Sequence, residues 1–576
     1  MQMQPSFSPN QSADLWRRSA GWVAAVSAAF CLFVVLTLVL GVIDQRRQTP
    51  LNSPIVVRLK QQLADRPNDL GLKDQIRQVD QNLRRGFFVQ QIRLQQGAWL
   101  LLGGAAGLVL ALKSYWRLSS TPPTLLADRV DVWKEARLAR WSVGASACVI
   151  AGVMLLWAVL PVTPLPKPPV AAVLPTAVWP SWEQRLANSP GFRGASGAGI
   201  VNPSGKWPQQ WDGPAGQNIL WKSAVPLTGK SSPIVWGDRI FLTGADEKSR
   251  EVFCYDAAAG TLLWRKTVPL GLSTLPEVFG DTGFAASTPA CDNTAVYAIF
   301  ATGDLAAFSF DGKFLWQKSV GAPQSTYGFA ASLVAVDGKV IVQWDMGDAP
   351  DAGKSALMAF DARTGKPLWN TPRPVRASWS SPVLARTPAG DRLIVNGNPW
   401  VMAYELAGGK ELWRAGVMDG DVACSPVYRD GVIYVANDRA KAAAIRDGGS
   451  GDVTATHISW TFEENLPDLV SPLCDGKTML TVMSSGLITC LDAKTGQKSW
   501  EHDLGGGVHA SPLLVGDVVY LTAEDGITHR FRLGATFEPL DTSPLGEKVS
   551  ASVAAANGRF YLRGENHLFC IAPGSK

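Results

Sequence analysis

Histidine is scarce in this 576-residue chain. It occurs only at 457, 502, 509, 529 and 567, and no H-x-x-x-H pair forms, which speaks against a helix-borne zinc site. The eight cysteines, at 31, 148, 254, 291, 424, 474, 490 and 570, are never adjacent and never paired at zinc-binding spacing. No C-x-x-C-H exists for a covalently attached c-type haem, and no EF-hand-like aspartate run is present. Residues after 180 contain no Lys/Arg run of the kind a phosphate-tracking surface needs, so nucleic acid is not an expected partner. The net charge of +5 hides an asymmetry: residues 1–180 hold 19 Lys+Arg and 9 Asp+Glu of the chain's 54 and 49, leaving the remainder acidic by five. The basic part is also the apolar part, a pattern of membrane-flanking charge.

That part holds the long hydrophobic runs. "AGWVAAVSAAFCLFVVLTLVLGVI" (20–43) is uncharged and exceeds the roughly 20 residues that span hydrocarbon. It is longer than the apolar core of a signal peptide and is read as a retained helix. A second run, 97–112, carries "GGAAG", which favours close helix packing, with Trp99, Tyr115 and Trp116 as interfacial anchors. A third, 141–160, completes an expected set of three spans within residues 1–163. Between the first two, Leu59, Leu63, Ile76, Val79, Leu83 and Phe87 recur at helical spacing around "DRPND", which predicts a helical hairpin over 51–95. Basic residues alone lean weakly against export of the C-terminal part. A proline-rich linker at 164–182 ends the membrane region.

From 183 onward one unit repeats. "SSPIVWGDRIFLTG", "SPVYRDGVIYVAND" and "SPLLVGDVVYLTAE" are three of eight openers, each a pair of short alternating strands around a two-residue Gly/Asp/Asn turn. Closers such as "FDARTGKPLW" and "LDAKTGQKSW" combine a turn with a tryptophan that starts the next strand. The tryptophans are Trp264, Trp316, Trp369, Trp413, Trp460 and Trp500, and "TFEPL" at Phe537 is a degenerate seventh closer. The eighth lies upstream, at Trp221, so an N-terminal strand is expected to complete the last unit. Spacing and strand content predict an all-β, eight-bladed propeller of four-stranded blades over 183–576, with these tryptophans as blade-docking wedges. The aspartates of the closers are read as turn residues, not catalytic ones.

These units resemble the pyrrolo-quinoline quinone (PQQ) repeats of quinoprotein dehydrogenases and of the outer-membrane assembly lipoprotein BamB. "D-x-x-T-G-x-x-x-W" carries the likeness over about 185–573, and "SPGFRGASGAG" (189–199) extends it to bacterial PQQ-like propellers. The resemblance implies an inner-membrane protein with its propeller on the periplasmic side. A dehydrogenase of this type would hold PQQ and calcium on the axis, with an aspartate base and a cap of adjacent cysteines. No such cysteine pair is present.

Fold alone does not assign function. Aromatics near strand ends, Tyr327, Trp344, Trp379 and Trp400, together with Asp345 and with His509 in "GGGVHASP", form a candidate ligand or partner face. No catalytic, cofactor or metal residue is assigned. The six propeller cysteines read as buried free thiols. The favoured reading is a membrane-anchored, non-catalytic propeller that acts as a protein-binding or scaffold subunit at the cell envelope. A membrane-bound PQQ/calcium dehydrogenase and a ligand- or carbohydrate-sensing propeller stay open beside it.

Overall fold

The computed structural model describes residues 9–47, 97, 100–117, 119, 141 and 179–574, apart from 202, 273, 274, 277 and 281. The chain divides into two compact units, Met1–Pro168 and Pro169–Lys576.

In the first unit, α1 (Pro9–Arg47) contains the apolar stretch Trp16–Leu38. Among the described residues this is the one helix long and apolar enough to cross a membrane, where the sequence led us to expect three. Residues 100–117 are helical and pack against α1. A Cβ on Gly104 would lie 2.8 Å from the Phe30 ring, one on Gly97 2.7 Å from Leu38, and one on Gly21 3.6 Å from Tyr115. The order of these contacts makes the two helices antiparallel, and the glycines permit their close approach. The expected span at 141–160 (Trp141 apart), the hairpin at 51–95 and most of the linker lie outside the described residues.

The second unit is the expected ring of eight sheets. Blades 1 to 7 occupy 234–267, 290–319, 334–372, 383–416, 427–462, 473–503 and 513–544. Blade 8 takes three strands from 554–571 and its outer strand, Ile219–Ala224, from the other end of the chain. That strand is antiparallel to His567–Ile571, with Trp221 opposite Cys570 and Ala224 opposite His567. The second and third strands of most blades are buried on both faces, because each sheet is sandwiched between two others.

Two side-chain devices join neighbouring blades. The first is the tryptophan wedge. Trp264 Nε1 donates to the Phe310 carbonyl at 2.8 Å, Trp316 to Ala362 at 2.9 Å, Trp460 to Ala493 at 2.9 Å and Trp221 to Ala257 at 3.2 Å. Each indole covers the next blade's closing turn. At Gly365 (φ 65°), a Cβ would sit 2.6 Å from the Trp316 ring, so both the backbone and the wedge require glycine. The motif aspartates cap these turns: Asp361 Oδ1 accepts from the Thr364 amide, and Asp492 Oδ1 from that of Thr495, both at 2.8 Å. The wedge is architectural.

The second device is a closed hydrogen-bonded ring near the axis. The Ser232 amide donates to Thr288 Oγ1, and the series continues through Ser332, Ser381, Ser425, Ser471, Ser511 and Ser552 back to Ser232 Oγ. All eight bonds measure 2.8–3.1 Å and all eight residues are buried. The "Ser-Pro" that opens most units thus supplies one rung per blade.

Below this ring the axis is filled by the chain itself. Ser189 bridges Val235 of blade 1, the Pro190 carbonyl accepts from Cys291 of blade 2, and Ser196 accepts from Leu384 of blade 4. Arg193 donates to the Pro472 carbonyl of blade 6 at 2.6 Å, and Ile200–Val201 pairs in parallel with Leu514–Val515 of blade 7. The innermost strands would otherwise leave backbone groups unpaired toward the axis. "SPGFRGASGAG" is rich in small residues because it threads this space. A Cβ on Gly199 would meet the Pro512 carbonyl at 2.8 Å.

Candidate functional site

Alternation of strand direction sorts the loops onto two faces. The lower face carries the closing turns and the first hairpin of each blade. The upper face carries the second hairpins and the connections that lead to the next blade's ring residue. Trp379 and His509 both lie two positions before their ring serines, Ser381 and Ser511, and so occupy equivalent places on the upper rim.

Trp379 is half-buried and held at two points: its amide donates to the Val422 carbonyl at 2.8 Å and its Nε1 to the Gly328 carbonyl at 3.0 Å. Tyr327 meets it edge to face at 4.9 Å between centroids, and Phe279 meets Tyr327 the same way at 5.6 Å. Phe279 is 50% exposed, and Leu275 in the same connection is also exposed. Two of the aromatics chosen from the sequence therefore come together, joined by a third, Phe279, that the sequence reading missed. The signal for it was the length of the connection between blades 1 and 2, residues 268–289, which carries apolar residues without strand alternation.

The other candidates sit elsewhere. Trp344 is buried in the core, stacked on Phe329 at 5.2 Å, and so lies beneath the face rather than on it. Trp400 begins a strand of blade 4 and lies under the Arg414 guanidinium, 5.4 Å from its ring. Asp345 is fully buried. Its Oδ1 accepts from Arg373 Nε at 2.8 Å, and its Oδ2 accepts from Gln343 Nε2 at 2.7 Å and Ser378 Oγ at 2.5 Å. His509 Nδ1 lies 2.8 Å from Glu524 Oε1, on a part of the rim remote in sequence from the aromatic trio.

The propeller thiols are unsuited to chemistry. Burial pushes Cys254, Cys474, Cys490 and Cys570 up to about 12, and Cys291 and Cys424 rise for the same reason. All six are free and buried. At pH 8 the native protein is expected to leave these six unlabelled by a maleimide in peptide mapping, with full labelling after guanidinium unfolding. Labelling of any of them in the native state would contradict their burial.

Among the described residues, no group of three or more His, Cys, Asp or Glu side chains converges on a metal-sized site. An open recess of about 330 Å³ lies on the lower side between blades 3 and 4, lined in part by Asp337, Lys339, Asp391, Arg392 and Glu405. It holds none of the aromatic candidates.

Comparison with known proteins places this architecture. No curated protein matches the chain. BamB from Moraxella catarrhalis is similar in structure at 14% identity, covering 62% of this chain and 97% of its own, with a TM-score of 0.46. Quinohemoprotein alcohol dehydrogenase from Comamonas testosteroni is similar at 13% identity, covering 68% and 81%, with a TM-score of 0.50. At 13% identity the likeness to the Comamonas enzyme speaks for the fold alone. The family described as outer membrane protein assembly factor BamB matches residues 210–349, 353–474 and 450–536, more than half of the sequence. By that match and by its eight-bladed ring, the chain belongs to this family of PQQ-like β-propellers.

Proposed function

We propose that the protein is a membrane-anchored, non-catalytic propeller that binds a protein partner through its upper face, on the extracytoplasmic side of the inner membrane. The observation that carries this reading is the aromatic trio at the upper rim, in which an exposed Phe279 leans on the half-buried Tyr327 and Trp379, with no catalytic constellation beside it among the described residues. Rigidly held aromatics beside exposed apolar side chains are typical anchors of protein interfaces. The family description, an assembly factor, favours the same class of role. Trp16–Leu38 supplies the anchor.

Two features speak against a PQQ–calcium pair. No adjacent cysteines exist to cap a quinone. The fully buried Asp345 has both oxygens committed to Arg373, Gln343 and Ser378. A base must be free to accept a proton from substrate.

The test is site-specific photo-crosslinking in the native membrane, with the crosslinker at Phe279 on the upper face or at Asp430 on the lower. A discrete protein adduct from position 279 and none from 430 is expected. Adducts from 430 alone would overturn the assignment of the face. Retention of PQQ and calcium at near-unit occupancy after desalting would replace the reading with the dehydrogenase one.

A further inference from the structure

We infer that the sector of the upper face around Trp379 docks a basic segment of a partner protein, one that carries an apolar anchor for the aromatic trio. This rests on the partner-binding reading above and names the chemistry of the partner.

The apolar part of the sector is preorganised. Trp379 is fixed by its two hydrogen bonds, to the connection between blades 4 and 5 and to the connection that precedes blade 3, and Tyr327 and Phe279 lean on it in sequence. Little side-chain freedom remains to be lost when a partner covers them.

Its surround is acidic. Asp348 and Asp351 are exposed on the second hairpin of blade 3, and Asp419 and Asp421 are exposed on the connection between blades 4 and 5. Hydrogen bonds tie the connection that carries Trp379 to its neighbours: the Ala377 amide donates to the Gly347 carbonyl at 2.7 Å, and the Arg376 amide to the Asn398 carbonyl at 3.1 Å. Asn398 Nδ2 in turn donates to Asp419 Oδ1 at 3.0 Å. The counter-charges are fewer. Arg376 is already engaged, donating to the Gly420 carbonyl at 2.6 Å and lying 3.9 Å from Asp421; Arg439, against Gly420, is paired with Asp438 at 3.7 Å, and Lys354 is a third cation. Asp419 is held ionised, since the Gly420 amide and Asn398 both stabilise its charged form and lower its pKa.

Four exposed carboxylates around an aromatic anchor repel phosphate backbones and acidic lipid, and they attract lysine or arginine. A sugar is a poorer fit. The rings meet at 79° in both contacts, edge to face, which uses up flat ring surface on which a pyranose would stack.

The test uses the full-length protein in nonionic detergent and a fluorescein-labelled 12-residue peptide of lysine and serine with two tryptophans, followed by anisotropy. The glutamate-for-lysine peptide and maltohexaose serve as alternative probes. The lysine peptide is expected to bind, more weakly as salt is raised. The D348N/D351N/D419N/D421N variant should bind about ten-fold more weakly, by the modest worth of each exposed ion pair summed over four. The F279A variant should also weaken binding. A D238N/D337N/D430N/D517N variant removes the same charge from the lower face, and it should bind within about two-fold of the parent. Equal losses in both quadruple variants would overturn the inference, as would binding insensitive to either, or preference for the glutamate peptide or for maltohexaose. If the crosslink from position 279 persists in the upper-face quadruple variant, the charge inference falls while the partner-binding reading stands.

Discussion

A soluble chain that begins at residue 226 should fail to hold the eight-bladed ring, whereas one that begins at residue 179 should hold it. The shorter chain lacks Ile219–Ala224, the outer strand of blade 8, and leaves the edge of His567–Ile571 without its partner. It also lacks Trp221, whose indole packs against Tyr561 and covers the turn at Gly260. Loss of a large aromatic from such a wedge costs about 3–5 kcal/mol before the strand ladder is counted. The shorter chain additionally lacks the axial segment that bonds to the innermost strands of blades 1, 2, 4, 6 and 7. A third chain, beginning at residue 206, separates these effects. It keeps the closing strand, along with Trp207 and Trp211 against Phe560, but loses the axial segment. Its thermal midpoint should fall between the other two. Equal melting of the chains beginning at 179 and 226 would refute closure by the N-terminal strand.

The ring was legible in the sequence because its geometry is written eight times. A blade sandwiched between two others must repeat its strand pattern, its turn and its wedge, and eight openers with seven later closers leave Trp221 as the missing member. The axial segment was not legible as such. It occurs once, has no alternation, and owes its small residues to an axis that exists only after the ring has closed. Arg193 illustrates the difficulty: it is buried, with φ 57°, and no local pattern predicts a left-handed arginine. The candidate face was legible in part. Trp379 could be placed because it precedes a ring serine. Trp344 could not, since both faces of its strand are buried and alternation gives no direction. The same blindness applied to Asp345, whose partner Arg373 is remote from it in the repeat pattern.

Asp345 and Arg373 make the second large prediction. Both side chains have zero solvent exposure, joined by paired bonds of 2.8 and 3.2 Å between blade 3's second strand and the connection to blade 4. Arg373 also donates to the Asn396 carbonyl at 3.3 Å and lies over the Tyr404 ring at 5.6 Å. Asp345 dominates the neutralisation of this guanidinium, and the pair raises the arginine's pKa against the opposing effect of burial. Removing one partner strands the other charge in a fully buried site, at a cost of about 3–5 kcal/mol. D345L and R373M should therefore each lower the urea midpoint of a chain beginning at residue 179 by an amount of that order. The double variant should recover much of the loss, because it removes both desolvated charges and leaves apolar groups of similar size. Gln343 and Ser378, which lose an acceptor in D345L, set a ceiling on the recovery. Simple additivity of the two losses would show that the pair is not an energetic unit. If Asp345 is a structural tie between blades, D345N should leave binding of the lysine peptide unchanged while still lowering stability, which separates it from the exposed carboxylates at 348, 351, 419 and 421.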